Sequence, residues 1–217
     1  YHPAYPDAIT VNFAQDAAAI DQRLIADAPE DQATIAYGNM LPENLATVFT
    51  AGDPRFEGRS VNGYDPYVRY TAINTQKIAN PKLRQAIVAA TNNAEILAAR
   101  GGDFAGERAD GVIKPALAAD YAPSGIWDTL YGEAIPAEGN PELAKKLIAE
   151  AGEPMPELTY QFPQNPVDEK VAASLQSALA RAGITVKLEP IEPGQYYGIV
   201  FDPEKAKELM RSGWAPD

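Results

Sequence analysis

Between Tyr67 and Gly102 the chain passes from its most strand-like run to its longest helix-like run across a single Asn-Pro step, and that step limits the folds available to it. The run YVRYTAIN alternates Val68, Tyr70 and Ala72 against Arg69, Thr71 and Ile73. β-Branched and aromatic residues at this density predict a strand covered at least partly on both faces. Asn80 is placed to cap a helix, Pro81 occupies the first turn where its missing N–H costs nothing, and Gly101–Gly102 stops the run. Leu83, Ile87, Ala90, Ala94 and Leu97 recur on one face at helical spacing. Thr91, Asn92 and Asn93 are three poor helix formers in succession, which predicts two shorter helices. The stretch reads as a strand delivering the chain into a new compact unit.

On either side the same logic places further elements. Before it, ITVNF and ATIAYG read as strands flanking a helix AAAIDQRLIAD capped by Asp16, a unit whose strands would be parallel. Asp27, Glu30 and Asp31 lack the alternating spacing and glycine of a calcium loop, so they read as a solvated helix end. PENLATVF is a short helix, and residues 51–66 are loop, the best linker before the organising strand. After it, residues 103–139 form a long irregular segment with apolar anchors at Ile113, Pro115, Leu117, Tyr121, Ile126, Trp127 and Tyr131, with Trp127 packing the segment down. A helix from Asn140 to Gly152, a strand PELTYQF, an amphipathic helix through Val167, Val171, Leu175, Leu179 and Ala182, and a strand ITVKLEPI then make a βαβ unit. The chain closes with PGQYYGIVF, a predicted helix DPEKAKELM, and SGWAPD.

Composition removes several function classes. With 18 Lys and Arg against 30 Asp and Glu, the net charge of −12 opposes nucleic acid and anionic membrane surfaces as partners. The chain has no cysteine, hence no disulfide and no thiolate site, and its one histidine is His2. A histidine-based triad or metal site therefore cannot be assembled, and no phosphate-binding glycine loop or nucleophile elbow occurs. Two carboxylates across a cleft would suffice for a glycosidase. Only Asp217, near Trp214, stands in an apolar setting that would suit a carboxylic acid. A binding site is easier to build: Tyr64, Tyr67, Tyr70, Tyr196, Tyr197 and Trp214 supply rigid surfaces with polar tips, and a carboxylate beside such a slot anchors an ammonium group.

The succession VRYTAINTQKIANPKLRQAIVAATNNAEIL, NPELAKKLIAEAG, ARAGITVKLEPI, QYY and SGWAPD resembles family 5 of the extracellular solute-binding proteins, which serve ABC importers of oligopeptides, dipeptides, nickel and related solutes. The resemblance runs from about Tyr5 to Asp217. It implies an α/β, periplasmic-binding-protein-like (type II) lobe, with a mixed sheet flanked by helices in an incomplete two-lobe architecture. Residues 1–72 would be the later part of the first lobe, 73–77 the crossover, and 78–217 most of the second lobe. It also implies a binding protein that performs no chemistry and needs no cofactor or metal. The aspartate of W-x-x-D, here Asp217, would receive the ligand's α-amino group, with Trp214 beside it and Tyr70, Asn74 and Tyr197 as weaker cleft residues. The partners would be a peptide or other small solute and ABC permease subunits. The location would be extracytoplasmic, as a periplasmic or cell-surface lipoprotein, with anchoring through an N-terminal lipid signal missing from this sequence. An abrupt start at Tyr1 and end at Asp217 reads as an internal fragment. A carboxylate-dependent hydrolase and an adhesion or sensor module of the same fold stand as alternatives.

Overall fold

The computed structural model describes residues 6–13, 15–36, 40–50, 52–63, 67–129, 132 and 134–215. The chain divides into two compact units, Tyr1–Ser60 and Val61–Asp217. In the first, Asp16 caps α1 (Ala17–Ala26) by accepting from the Ala19 N–H at 2.9 Å, and α2 (Pro42–Phe49) begins on its proline. Buried Asp21 ties the two helices by accepting from the Leu41 N–H (2.9 Å) and the Asn44 amide (2.8 Å). The acidic residues after α1 are held by arginines: Asp31 pairs with Arg23, and Asp27 with Arg59 at 2.9 Å. The two strands expected here do not form. Residues 9–13 and 33–36 have no regular structure, and Tyr37 and Gly38 lie outside the described residues. A strand needs a neighbour for its backbone groups. Among the described residues none pairs with 9–13, which leaves Ile9 and Phe13 about four-fifths exposed, at 79% and 82%.

The second unit is built on one four-stranded sheet with the order β1-β4-β2-β3: β1 (Val68–Ile73), β2 (Leu158–Pro163), β3 (Val186–Ile191) and β4 (Leu209–Trp214). β2 lies parallel to both β3 and β4, and β1 closes the edge antiparallel to β4. The Asn-Pro step behaves as its chemistry dictates. Asn80 accepts from the Lys82 N–H at 2.9 Å to start α3 (Pro81–Ala90), and Asn92 accepts from the Glu95 N–H at 3.0 Å to start α4 (Asn93–Arg100). Buried Leu83, Ala86 and Ile87 of α3, Leu143 and Leu147 of α6 (Pro141–Ala151), and Leu175 and Leu179 of α7 (Pro166–Arg181) pack with Leu158, Tyr160, Phe162 and Leu209 of the sheet into one core. Ala94 and Leu97, expected on the same apolar face, are only partly covered, because the break at Thr91 turns α4 off the axis of α3.

One element is corrected outright. DPEKAKELM is not a helix: Asp202 closes a turn, its carbonyl accepting from the N–H groups of Lys205 (3.0 Å) and Ala206 (2.8 Å), and Leu209 and Met210 open β4. Helix propensity is worth tenths of a kcal/mol per residue, whereas β4 satisfies the facing backbones of both β1 and β2 and buries Leu209 completely. A five-residue helix, α8 (Tyr196–Val200), precedes that turn.

Of the apolar anchors expected in the long segment, Trp127 packs against the core, whereas Ile113, Leu117, Tyr121 and Ile126 are only partly covered and Pro115 is exposed. The Trp127 indole N–H donates to the Ala109 carbonyl at 3.0 Å, Arg108 lies 3.6 Å over the indole, and the N–H of buried Ile135 donates to the Trp127 carbonyl at 2.7 Å. Trp127 sits in α5 (Ile126–Thr129); Tyr131, another expected anchor, lies outside the described residues. The segment returns to the core at Gly139, whose φ is +79° and where a Cβ would stand 2.7 Å from the Thr91 carbonyl oxygen. Gly139→Ala should therefore cost about 3 kcal/mol, from left-handed strain and backbone collision together, read as a lower urea midpoint at unchanged m-value.

Candidate functional site

Antiparallel pairing places residues opposite each other on one face of the sheet. Val68 faces Trp214 and Tyr70 faces Ser212, so Tyr70 and Trp214 are diagonal neighbours on the same face, at the end where β4 leaves the sheet. Both remain open, 39% and 37% exposed, while Tyr160 and Tyr196 of the same region are 1% exposed. Open parallel sheets characteristically bind ligands beyond the carboxyl ends of their strands. Asp217, the expected charge anchor, lies outside the described residues.

The other face at this end carries charge. Arg69 and Arg211 project from β1 and β4, and α7 and α4 bring Asp168 and Arg100 to meet them. Asp168 sits in the first turn of α7, where Asn165 both accepts from its backbone N–H (2.9 Å) and donates to its carboxylate (2.8 Å). That carboxylate also accepts from Arg100 Nη2 at 3.1 Å and lies 3.7 Å from Arg211 Nε. The Arg211 Nε–H is buried and has no hydrogen-bond partner among the described residues. Burial lowers the Arg100 pKa, as do the charges of Arg69 and Arg211, against the opposing pull of Asp168. Arg69 lies 4.9 Å over the Tyr67 ring, and that ring rests on Gly213, where a Cβ would come within 2.5 Å of it. Two guanidiniums thus share one carboxylate, and a third, Arg69, lies on the same sheet face over Tyr67. Nearby, burial pushes the pKa of the Tyr160 hydroxyl up to about 12.

The remaining expected residues fall in two places. Tyr197, on α8, is half exposed, edge-on to Tyr196 (5.4 Å) and stacked on Phe201 (5.5 Å). The Tyr196 hydroxyl reaches the carbonyls of Gln161 and Arg211, which ties α8 to β2 and β4 near the Trp214 end. Asn74 stands beyond the opposite end of β1, six residues from Val68, a separation on the order of 20 Å along the strand. There its N–H donates to the Glu208 carbonyl (2.9 Å) and its side chain accepts from the Gln76 N–H (3.1 Å), closing a turn. The structure therefore brings Tyr70 and Trp214 together, sets Tyr197 on the helix tied nearby, and separates Asn74 from them. The arginine cluster was missed in the sequence because Arg211 was read outside any strand. Its signal was Arg69, a charge in an otherwise apolar strand run.

A helix-flanked mixed sheet with open aromatic residues and excess cations at its carboxyl end is a periplasmic-binding-protein-like lobe of type II. The family described as bacterial extracellular solute-binding proteins, family 5, middle region, matches residues 1–217, and the chain belongs to it. Among solved structures it resembles the ABC transporter substrate-binding protein CtaP of Listeria monocytogenes (21% identity, 93% of this chain, 38% of that one, TM-score 0.69). It also resembles the oligopeptide-binding protein AppA of Bacillus subtilis, solved with a nonapeptide (21%, 93%, 39%, TM-score 0.60). A third is the ABC transporter-associated periplasmic binding protein DppA of Helicobacter pylori, solved with the peptide STSA (20%, 93%, 36%, TM-score 0.64). At these identities the likeness is one of fold, and the chain spans well under half the length of each. No curated protein matches the chain. The family and these neighbours are binding proteins rather than enzymes. Among the described residues no helix is long and apolar enough to cross a membrane, and no cluster of three potential metal ligands occurs.

Asp168→Asn leaves Arg100 and Arg211 buried without a counter-charge and should cost about 3–5 kcal/mol of stability, measured by urea unfolding. Because the Tyr160 pKa is raised in the folded state, the folded protein holds that proton more tightly, and the associated stability is lost as pH rises from about 10 toward 12. Tyr160→Phe should flatten the fall in melting temperature across that window.

Proposed function

We propose that this chain is part of a solute-binding component of an ABC importer, which captures a peptide or similar small solute between two lobes and delivers it to the permease. In this reading, residues 1–72 belong to the later first lobe, 73–77 to the crossover and 78–217 to the second lobe. The observation that carries it is the pair Tyr70 and Trp214: two aromatic side chains left open as diagonal neighbours on one sheet face, at the carboxyl end of β4. Aromatic surfaces with polar tips hold ligands at small entropic cost, and holding them open to water has no structural benefit. Peptides bound to AppA and DppA support the choice of solute.

Trp214 and Tyr70 form the wall, Tyr197 extends it from α8, and Asn74 contributes by closing the crossover turn rather than by contact. Asp217 receives the ligand's ammonium group. The whole protein acts outside the cytoplasm, as a periplasmic or lipid-anchored cell-surface protein. Since a desolvated ion pair loses about 2–5 kcal/mol when one partner is removed, Asp217→Ala in the full-length protein should weaken peptide binding by that amount. Titration calorimetry with peptides bearing free and acetylated N-termini checks the same contact. Equal affinity for the two would rule out the anchor. Trp214→Ala should weaken both peptides alike, by about 1–3 kcal/mol, because it removes packing rather than charge.

A further inference from the structure

Capture of a small solute does not by itself account for two guanidiniums sharing one carboxylate with a third on the same sheet face. Arg100 and Arg211 share Asp168, with side chains 20% and 17% exposed. Among the described residues Arg69 forms no ion pair; its guanidinium lies 4.9 Å over the Tyr67 ring. Arginine cannot shed its proton to relieve such a site, so among the described residues three arginines and one contacting carboxylate leave an excess of positive charge at one end of the sheet, in a chain whose net charge is −12. Concentrating and partly drying like charges is costly unless an anion joins them. The geometry is also prepared for one. A guanidinium held over an aromatic ring keeps N–H groups free to donate to an anion. Tyr67 can hold Arg69 in this way only because residue 213 has no side chain. The buried Arg211 Nε–H is a further donor without an acceptor among the described residues.

We propose that the solute carries two negative charges at one end, received by Arg69, Arg100 and Arg211, with Tyr67 and Gly213 as positioning residues. This deepens the solute-binding reading and rests on it. An ordinary peptide brings a single carboxylate at its C-terminus; an acidic C-terminal residue brings two, and so does a free dicarboxylate.

Calorimetric titration of the full-length protein with Ala-Ala-Ala, Ala-Ala-Glu, Ala-Ala-Lys and glutarate separates the cases. Ala-Ala-Glu should bind at least about tenfold more tightly than Ala-Ala-Ala, with Ala-Ala-Lys weaker still, and the gap should narrow as salt is raised. Arg69→Gln should remove most of the preference, whereas Arg69→Lys, which keeps the charge, should retain much of it, each variant being compared at an unchanged melting transition. Tight binding of glutarate with no preference among peptides assigns the site to free dicarboxylates and upholds the proposal. Equal affinity for Ala-Ala-Ala and Ala-Ala-Glu without glutarate binding overturns it while leaving solute capture intact. A preference that survives Arg69→Gln unchanged also overturns it, and binding of none of the four probes overturns both readings.

Discussion

The second unit depends on β4 entering the sheet between β1 and β2. Without that strand, β1 would have no partner and β2 only β3, so more than half of the paired residues of the sheet would lose their partners. Leu209, fully buried opposite Ile73 and Tyr160, carries this insertion into the core, where α3, α6 and α7 cover it. The insertion also joins residues far apart in sequence. It brings Arg211 beside Arg69 and sets Trp214 diagonal to Tyr70, so the strand that completes the sheet also completes the candidate site.

The two faces of the β1–β4 ribbon then divide the work. One face presents open aromatic rings. The other presents guanidiniums, two of which share Asp168, itself held at the N-terminal turn of α7 by Asn165. Strand alternation enforces this division, since neighbouring residues point to opposite faces and a one-residue slip would exchange them. Gly213 matters for the same reason. At a position facing Arg69, any side chain would occupy the space of the Tyr67 ring. Arg69 is thereby held 4.9 Å over that ring.

Much of the second unit was legible because its signals are local. Asn80, Asn92, Asn140 and Asn165 each precede a helix and each accepts the bond a cap requires, and glycines at 101, 152 and 183 end helices in or just beyond their last turn. The alternation in YVRYTAIN and the apolar spacing of α6 and α7 likewise needed no distant partner to be read. The failures share the opposite character. ITVNF has the alternation of a strand but no neighbour among the described residues, and DPEKAKELM has the composition of a helix but lies where two strands offer unpaired backbone. Propensity differences of tenths of a kcal/mol lose to ladder pairing and burial.

The sequence by itself determined the caps, the periodicities, the split of one long helix into α3 and α4, the anionic balance, the lack of thiol chemistry, and the order of motifs that marks the family. Only the tertiary structure decided that Arg69, Arg100, Asp168 and Arg211 share one place, that Tyr70 and Trp214 lie side by side, and that Asn74 stands at the far end of its strand. These are consequences of register and chain crossing. A strand's faces are written into its alternation, but which strand lies next to it is set by the burial and hydrogen bonding of the whole sheet.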